Sequence, residues 1–221
     1  MEIVKSQDKF TIGPDGKPSR VTDYKLAFPQ DFRKVQTPEL LFTTDKNYIQ
    51  TSFRIVRGSL ASDITTLKER KKAQGNLEHA IVSVNDGVGF YQAKTVLTGE
   101  TGIGFQIAPS IAVNDYLHTH SIREGEEDRK VDLFSAFDLW SMGSKGAERY
   151  WLVGKDTTWT LVNLYGQQYY HYIKEACWEM AKKENTAKPY ESSLSDLIDC
   201  VNKCNYRLYR SEDSINYALV S

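Results

Sequence analysis

Two histidines at alternate positions have the types and spacing that suit metal chemistry. His118 and His120 come directly after residues 107–117, an apolar run that predicts an interior strand. Residues i and i+2 of a strand point to the same face, so both imidazoles can converge on one ion. The chain has four histidines in all, so this pair is half of them. We therefore predict a metal site at the end of this strand.

A serine and an aspartate three residues apart extend this site. Ser135 and Asp138 stand at the start of a predicted short helix that residues 143–146 end, and residues three apart on a helix share a face. Ser135 occupies the N-cap position of that helix. Two imidazoles and one carboxylate, here His118, His120 and Asp138, are a common ligand set for catalytic Zn²⁺ with a fourth position left to water. Hydrolysis then needs a second carboxylate to take the proton of that water.

These residues resemble the signature of a known enzyme family. His118-Thr119-His120, followed by Ser135-Ala136-Phe137-Asp138, resembles the H-x-H…S-x-x-D motif of the JAMM metalloproteases, also called JAB or MPN proteases. That family carries a Glu upstream, after a helix and at the start of a strand, and Glu78 occupies this position. The order of predicted elements over residues 60–165 is similar to the family's core, and particularly to the JAB-like domains of bacterial polymorphic toxins.

The resemblance implies a role for each of these residues. His118, His120 and Asp138 would bind Zn²⁺. Glu78 would act as general base and then as general acid, and Ser135 would donate a hydrogen bond to the oxyanion. Members of the family hydrolyse peptide or isopeptide bonds, commonly after a ubiquitin-like carboxy terminus. The expected function is therefore that of a zinc isopeptidase or peptidase, a bacterial toxin or effector, with a protein or peptide partner of which ubiquitin-like proteins are one kind.

Two other functions remain open at this point. A non-catalytic protein-interaction scaffold of the same fold usually lacks one of the ligands, whereas every expected position is filled here. A cupin-like metal enzyme is the other alternative, because residues 118–124 satisfy the H-x-H-x-x-x-E core of the first cupin motif. In that case Glu124 would bind the metal, but the flanking glycines and the downstream G-x-x-H-x-x-x-N motif are missing.

A helix and two hairpins are predicted around these residues. The helix has Ser62 or Asp63 as its cap and ends near Ala73, where Gly75-Asn76 stops it. The first hairpin has Asn85-Asp86-Gly87 as its turn signal. The strands of the two hairpins are residues 79–84 with 89–96, and residues 150–153 with 158–164.

These elements predict a mixed α+β fold, with a mostly antiparallel central sheet that has a helix on each side. Residues 59–166 form the predicted JAB/MPN-like core. Residues 1–58 form a strand-rich extension, in which 52–56 alternate like a half-buried strand. Residues 167–221 form a helical appendage with helices over 170–183 and 193–205.

Composition and charge exclude several classes of function. A net charge of −1 over 221 residues provides no field that attracts nucleic acid or an anionic membrane, so neither is an expected partner. The amino terminus lacks a secretory signal pattern, so we expect a cytoplasmic protein, or an effector delivered without one. The three cysteines, Cys177, Cys200 and Cys204, are an odd number, which argues against a disulfide framework. We predict buried thiols on helices, because no second pair of cysteines completes a zinc site.

Overall fold

The computed structural model describes residues 3–14, 16–26, 39–85, 92–100, 102–107, 111–122, 133–164, 170–186 and 193–220. Four helices and twelve strands in these ranges make up a mixed α+β fold, as the sequence predicts. No helix among the described residues combines the length and the apolar character that a membrane span requires. The helices are α1 (Leu60–Ala73), α2 (Ala136–Lys145), α3 (Tyr170–Thr186) and α4 (Leu194–Lys203). The strands are β1 (Ile3–Ile12), β2 (Pro18–Leu26), β3 (Glu39–Thr44), β4 (Gln50–Arg57), β5 (Glu78–Asn85), β6 (Gln92–Gly99), β7 (Ile103–Ile107), β8 (Ala112–His118), β9 (Arg149–Val153), β10 (Thr158–Asn163), β11 (Tyr206–Ser211) and β12 (Asn216–Leu219).

A nine-stranded sheet forms the centre of the molecule. Its strand order is β3-β4-β12-β11-β10-β9-β8-β5-β6, and every neighbouring pair is antiparallel except β8 and β9. A second sheet has the order β1-β2-β7, with β7 parallel to β2. The mostly antiparallel central sheet of the prediction is thus confirmed. β3 and β4, from the predicted extension, and β11 and β12, from the predicted appendage, also belong to this sheet.

The parallel pair β8 and β9 determines where α2 begins. Parallel neighbours cannot be joined by a tight turn and need a crossover connection, which here contains α2. A helix that carries the chain back to the start of the next parallel strand runs opposite to the strand before it. The amino terminus of α2 therefore lies near the carboxyl end of β8, where His118 stands.

Both faces of the central sheet are covered by helices, as predicted. Along β5, Ala80, Val82 and Val84 face one hydrophobic core, and Ile81 faces the other. The core on the Ile81 side includes the buried face of α1, and the other includes residues of α2, α3 and α4. This alternation follows from the two-residue period of a strand, which sends successive side chains to opposite faces.

The first helix begins earlier than its capping residues predict. Its N-cap is Ser59, whose side chain makes no capping hydrogen bond, and Ser62 and Asp63 lie inside the helix. The Asp63 carboxylate instead pairs with Lys94 of β6. Leu60 is buried in the core. Burial of this apolar side chain therefore extends the helix towards the amino terminus, beyond the predicted caps Ser62 and Asp63. The end of the helix at Ala73 agrees with the prediction.

Both predicted hairpin pairings are confirmed. β5 pairs with β6 from Glu78 opposite Gly99 to Asn85 opposite Gln92, and β9 pairs with β10. The turn of the first hairpin, residues 86–91, lies outside the described residues. The apolar run 107–117 is not one strand, because Ile107 ends β7 and β8 begins at Ala112.

The two helices predicted in the tail are present, followed by two strands that the sequence analysis did not anticipate. Asn205 follows α4 with a positive φ of 55°, and β11 begins at the next residue. Arg210 is exposed while Tyr206 and Leu208 are buried. The sequence Tyr206-Arg207-Leu208-Tyr209-Arg210 alternates partly between apolar and charged residues, and this alternation is the signal that could have identified β11.

Candidate metal centre

Short contacts between the end of β8 and the start of β5 hold the two histidines in place. The backbone N–H of Thr119 donates to the His79 carbonyl at 2.9 Å, and Ile122 N–H donates to the Gly75 carbonyl at 2.7 Å. His118 is 1% exposed, while His120 lies just beyond the strand and is partly exposed. The two imidazole ring centroids are 5.2 Å apart, so the predicted convergence of the rings is present.

The amino terminus of α2 forms a reciprocal cap that fixes the third ligand. The Ser135 hydroxyl accepts the Asp138 N–H at 3.2 Å. In return, Asp138 Oδ2 accepts the backbone N–H of Ser135 at 2.7 Å and its hydroxyl at 2.8 Å. This confirms Ser135 as the N-cap, and it leaves Asp138 Oδ1 outside the capping interaction. The S-x-x-D spacing therefore positions the carboxylate by local geometry alone.

The helix cap brings Asp138 against both histidines. His118 Nε2 lies 3.2 Å from Asp138 Oδ1, and His120 Nε2 lies 3.2 Å from Asp138 Oδ2. One ligand atom of each residue lies within 4.8 Å of the others. Burial opposes ionisation of Asp138, but the neighbouring His118 and His120 hold its pKa well below 3.8. The carboxylate is therefore ionised at neutral pH and, with the two imidazoles, forms a group that can hold a metal ion.

The ring nitrogen atoms of His118 support a cation-binding role for the cluster of His118, His120 and Asp138. Neither its Nδ1 nor its Nε2 has a hydrogen-bond partner among the described residues, although Nε2 lies at ion-pair distance, 3.2 Å, from Asp138 Oδ1. Buried polar groups are nearly always partnered, since leaving one unpaired costs on the order of 1–3 kcal/mol. A metal ion between His118 and Asp138 would satisfy Nε2.

Glu78 lies at the start of β5, on the same side of the sheet as His118. Ala80 pairs with His118 in the neighbouring strand, and Glu78 stands two residues before Ala80. Its carboxylate accepts the Tyr116 hydroxyl at 3.5 Å and the backbone N–H of Ile103. Burial is the main cause that raises the pKa of Glu78 to about 7, and the charges of His118 and Asp138 also act on it. Glu78 is thus placed beside the metal-binding group without belonging to it.

Three residues near the site were missed by the sequence analysis. Tyr116 stacks on His118 with ring centroids 5.1 Å apart; its position two residues before His118 on a strand was a signal that could have found it. Gly102 borders the site, because a Cβ there would lie 3.8 Å from Glu78 Oε2. Glu184 of α3 accepts the backbone N–H of Ala136, the first residue of α2, at 3.0 Å. No local signal links residues 48 positions apart.

The two sheets meet beside Glu78. The backbone N–H of Thr22 in β2 donates to the Gly102 carbonyl at 3.0 Å, and Gly102 immediately precedes β7. The strand-rich extension therefore contacts Gly102, a residue that borders the site. Glu124, the ligand expected of a cupin, and the rest of the charged stretch 123–130 lie outside the described residues.

Glu78 also leads to a prediction for the metal-free protein. Burial raises its pKa from 4.5 to about 7, so between these values the folded protein holds a proton that the unfolded chain has released. The stability linked to this proton is complete below pH 4.5 and is lost as the pH rises through about 7. Glutamine needs no proton. We therefore expect Glu78→Gln to increase the free energy of unfolding on the order of 3 kcal/mol at about pH 8, and little below about pH 5.

Urea unfolding of chelator-treated protein at several pH values measures this difference. Glu175→Gln, at an exposed position on α3, is the matched control and should show no such pH dependence. An equal effect of Glu78→Gln at every pH would contradict the prediction.

Comparisons with protein-family models, with curated proteins and with solved structures find no match to this chain. Its function therefore has to be inferred from the sequence motif and from the geometry of the site.

Proposed function

We propose that this protein is a zinc-dependent hydrolase of the JAMM type, which cleaves peptide or isopeptide bonds in protein substrates. The observation that carries the proposal is the convergence of His118, His120 and Asp138. The ring of His118 is buried, and its two nitrogen atoms have no hydrogen-bond partner among the described residues. The resemblance of the sequence motif supports a ubiquitin-like protein as substrate, and a role as a bacterial toxin or effector.

The donor types support Zn²⁺, and the spacing of the ligand atoms is compatible with it. Ligand atoms about 2.1 Å from a tetrahedral zinc ion lie about 3.4 Å apart. Each imidazole Nε2 lies 3.2 Å from a different oxygen of Asp138, and one ligand atom of each of the three residues lies within 4.8 Å of the others, so side-chain rotations would have to bring the three atoms to the tetrahedral spacing. Two nitrogen ligands and one oxygen ligand leave a fourth position for water. When bound, Zn²⁺ would supply Lewis acidity and lower the pKa of that water to about 7.

Glu78 is assigned the proton transfers. A carboxylate at this position can accept a proton from the attacking water and release it to the leaving group, as general acid–base catalysis requires, and a bound cation would favour the ionised form that accepts the first proton. The hydrogen bonds from Tyr116 and from the Ile103 backbone orient the carboxyl group. From its half-buried position next to the metal ligands, Glu78 would deprotonate the attacking water and then protonate the leaving amine.

Ser135 is assigned to the oxyanion. Its hydroxyl stands at the amino terminus of α2, where the helix dipole favours negative charge. The same hydroxyl donates to Asp138 Oδ2 at 2.8 Å. Stabilisation of the oxyanion therefore requires that this hydroxyl turn from Asp138 towards the substrate, which a rotation of its side chain permits.

A hydrolysis assay with metal removal tests the proposal. We expect the purified protein to cleave lysine-linked conjugates of ubiquitin-like proteins, or peptides, in a reaction that a chelator stops and added Zn²⁺ restores. Cleavage that persists after the chelator has removed the metal would contradict a zinc mechanism. Full zinc occupancy without cleavage across a panel of such substrates would replace the proposal by that of a binding scaffold.

A further inference from the structure

Three cysteine side chains meet between the two helices of the tail. Cys177 lies on α3, Cys200 lies on α4, and Cys204 is the C-cap of α4. All three are buried free thiols, and their sulfur atoms lie within 4.8 Å of one another. The prediction of buried thiols on helices is confirmed. The third thiol that a metal site needs comes from the packing of α3 on α4, which the sequence analysis did not foresee.

The cluster combines local spacing with tertiary packing. Cys200 and Cys204 are four residues apart, and the N–H of Cys204 donates to the Cys200 carbonyl at 2.9 Å, so both thiols lie on one face of the last helical turn. Cys177 approaches from the other helix, which brings its sulfur atom within 4.8 Å of the other two. The side chains that pack in the same core are apolar, including those of Ile173, Met180, Leu197 and Val201.

The spacing of the three sulfur atoms suits a metal ion. Sulfur atoms about 2.3 Å from a tetrahedral zinc ion lie about 3.8 Å apart. No two of the sulfur atoms are more than 4.8 Å apart, so a change of at most about 1 Å, within reach of small changes in side-chain torsion, gives this spacing. Thiolate ligands select soft or borderline ions such as Zn²⁺ and Cu⁺ over Mg²⁺ and Ca²⁺. The donor set therefore defines the class of ion.

Three thiolates around Zn²⁺ would leave a net charge of −1, and the ion would have to displace the protons of the thiols. In the metal-free protein the neighbouring thiols lower the pKa of Cys204, whereas the pKa values of Cys177 and Cys200 are raised. The three thiols would supply three of the four ligands of a tetrahedral ion.

We propose that Cys177, Cys200 and Cys204 form a second metal site, which binds Zn²⁺ through three thiolates and cross-links α3 to α4. This site is separate from the histidine centre and does not depend on the proposed hydrolase function. It has a structural connection to that centre through Glu184 of α3, which accepts a hydrogen bond from Ala136 at the start of α2. Fixing α3 would thus help to hold the helix that carries Asp138.

The experiment uses the full chain with His118→Ala and His120→Ala, so that only the thiol site can bind metal. We expect the reduced protein to bind about one Zn²⁺ per chain. Replacement by Co²⁺ should produce the intense near-ultraviolet charge-transfer absorption of a thiolate–cobalt bond. Cys177→Ala in this background should abolish both signals, whereas Met180→Leu, at a buried position on the same helix, should leave them unchanged. A protein with three reduced thiols that binds neither ion overturns the proposal.

A second measurement does not require a cysteine variant to fold. A mercurial reagent titrated into the zinc-loaded histidine variant modifies the thiols stepwise, and a zinc indicator follows the metal that is released. We expect release of all the bound zinc by the time three thiols per chain have reacted. Zinc that stays bound after all three thiols have reacted overturns the proposal.

Discussion

We expect the His118→Ala, His120→Ala double variant to lose the metal of the histidine centre and all measurable hydrolysis. The variant removes two of the three ligands. Asp138 remains, but its Oδ2 is held by the backbone N–H and hydroxyl of Ser135, and one carboxylate alone binds a metal ion weakly. Changes to groups that merely support a ligand cost about 10–100-fold in metal affinity, so removing two ligands should cost well over 100-fold. Metal content and hydrolysis rate, measured on the same preparation, check the result.

Metal content must be read as a difference between proteins, because the cysteine cluster can hold an ion of its own. The double variant should contain about one ion fewer per chain than the unmodified protein. His79→Gln is the matched control, since His79 is equally buried but its Nε2 lies 3.2 Å from the Gln74 carbonyl. We expect that control to retain its metal. Equal metal content and equal activity in the double variant and the unmodified protein would contradict the assigned ligands.

We expect Glu78→Gln to lose hydrolysis while its metal is retained. Glutamine has nearly the same shape as glutamate, but it cannot take the proton of the attacking water. General acid–base catalysis contributes about 10²–10⁴-fold to a rate, so kcat should fall by about that factor. The metal content should not change, because the three ligand positions are filled by other residues.

Glu100→Gln provides the matched control for this prediction. Glu100 is exposed and follows Gly99, the residue that pairs with Glu78 across the hairpin, so the same chemical change is made nearby without altering the site. We expect normal kcat in that control. Full activity in Glu78→Gln would exclude the assigned base, even if metal binding were intact.

The two variants separate the two halves of the mechanism. Loss of the histidines removes the metal and with it the activation of water, whereas loss of the Glu78 carboxyl group removes proton transfer alone. If both variants lack activity and only the first lacks metal, the pattern matches a metal hydrolase with a separate base. Loss of metal in both would instead make Glu78 a ligand or a residue that the centre needs to form.

The sequence by itself determined the parts of the site that depend on local geometry. The spacing of His118 and His120 corresponds to the period of a strand, and Ser135 and Asp138 satisfy a reciprocal helix cap three residues apart. The two hairpins were predictable for the same reason, since each is formed by residues close together in the chain. Capping bonds and strand periods involve only near neighbours, so residue types alone predict them.

Only the tertiary structure decided the features that join distant residues. It placed β12, at the end of the chain, between β4 and β11 in the central sheet, and it brought Cys177 to Cys200 and Cys204. It also brought the backbone N–H of Ala136 within hydrogen-bond distance of the Glu184 carboxylate. Long-range contacts of this kind depend on how whole faces of helices and sheets pack. The physical reason is that burial is shared over many side chains, so no short motif records which distant surfaces will meet.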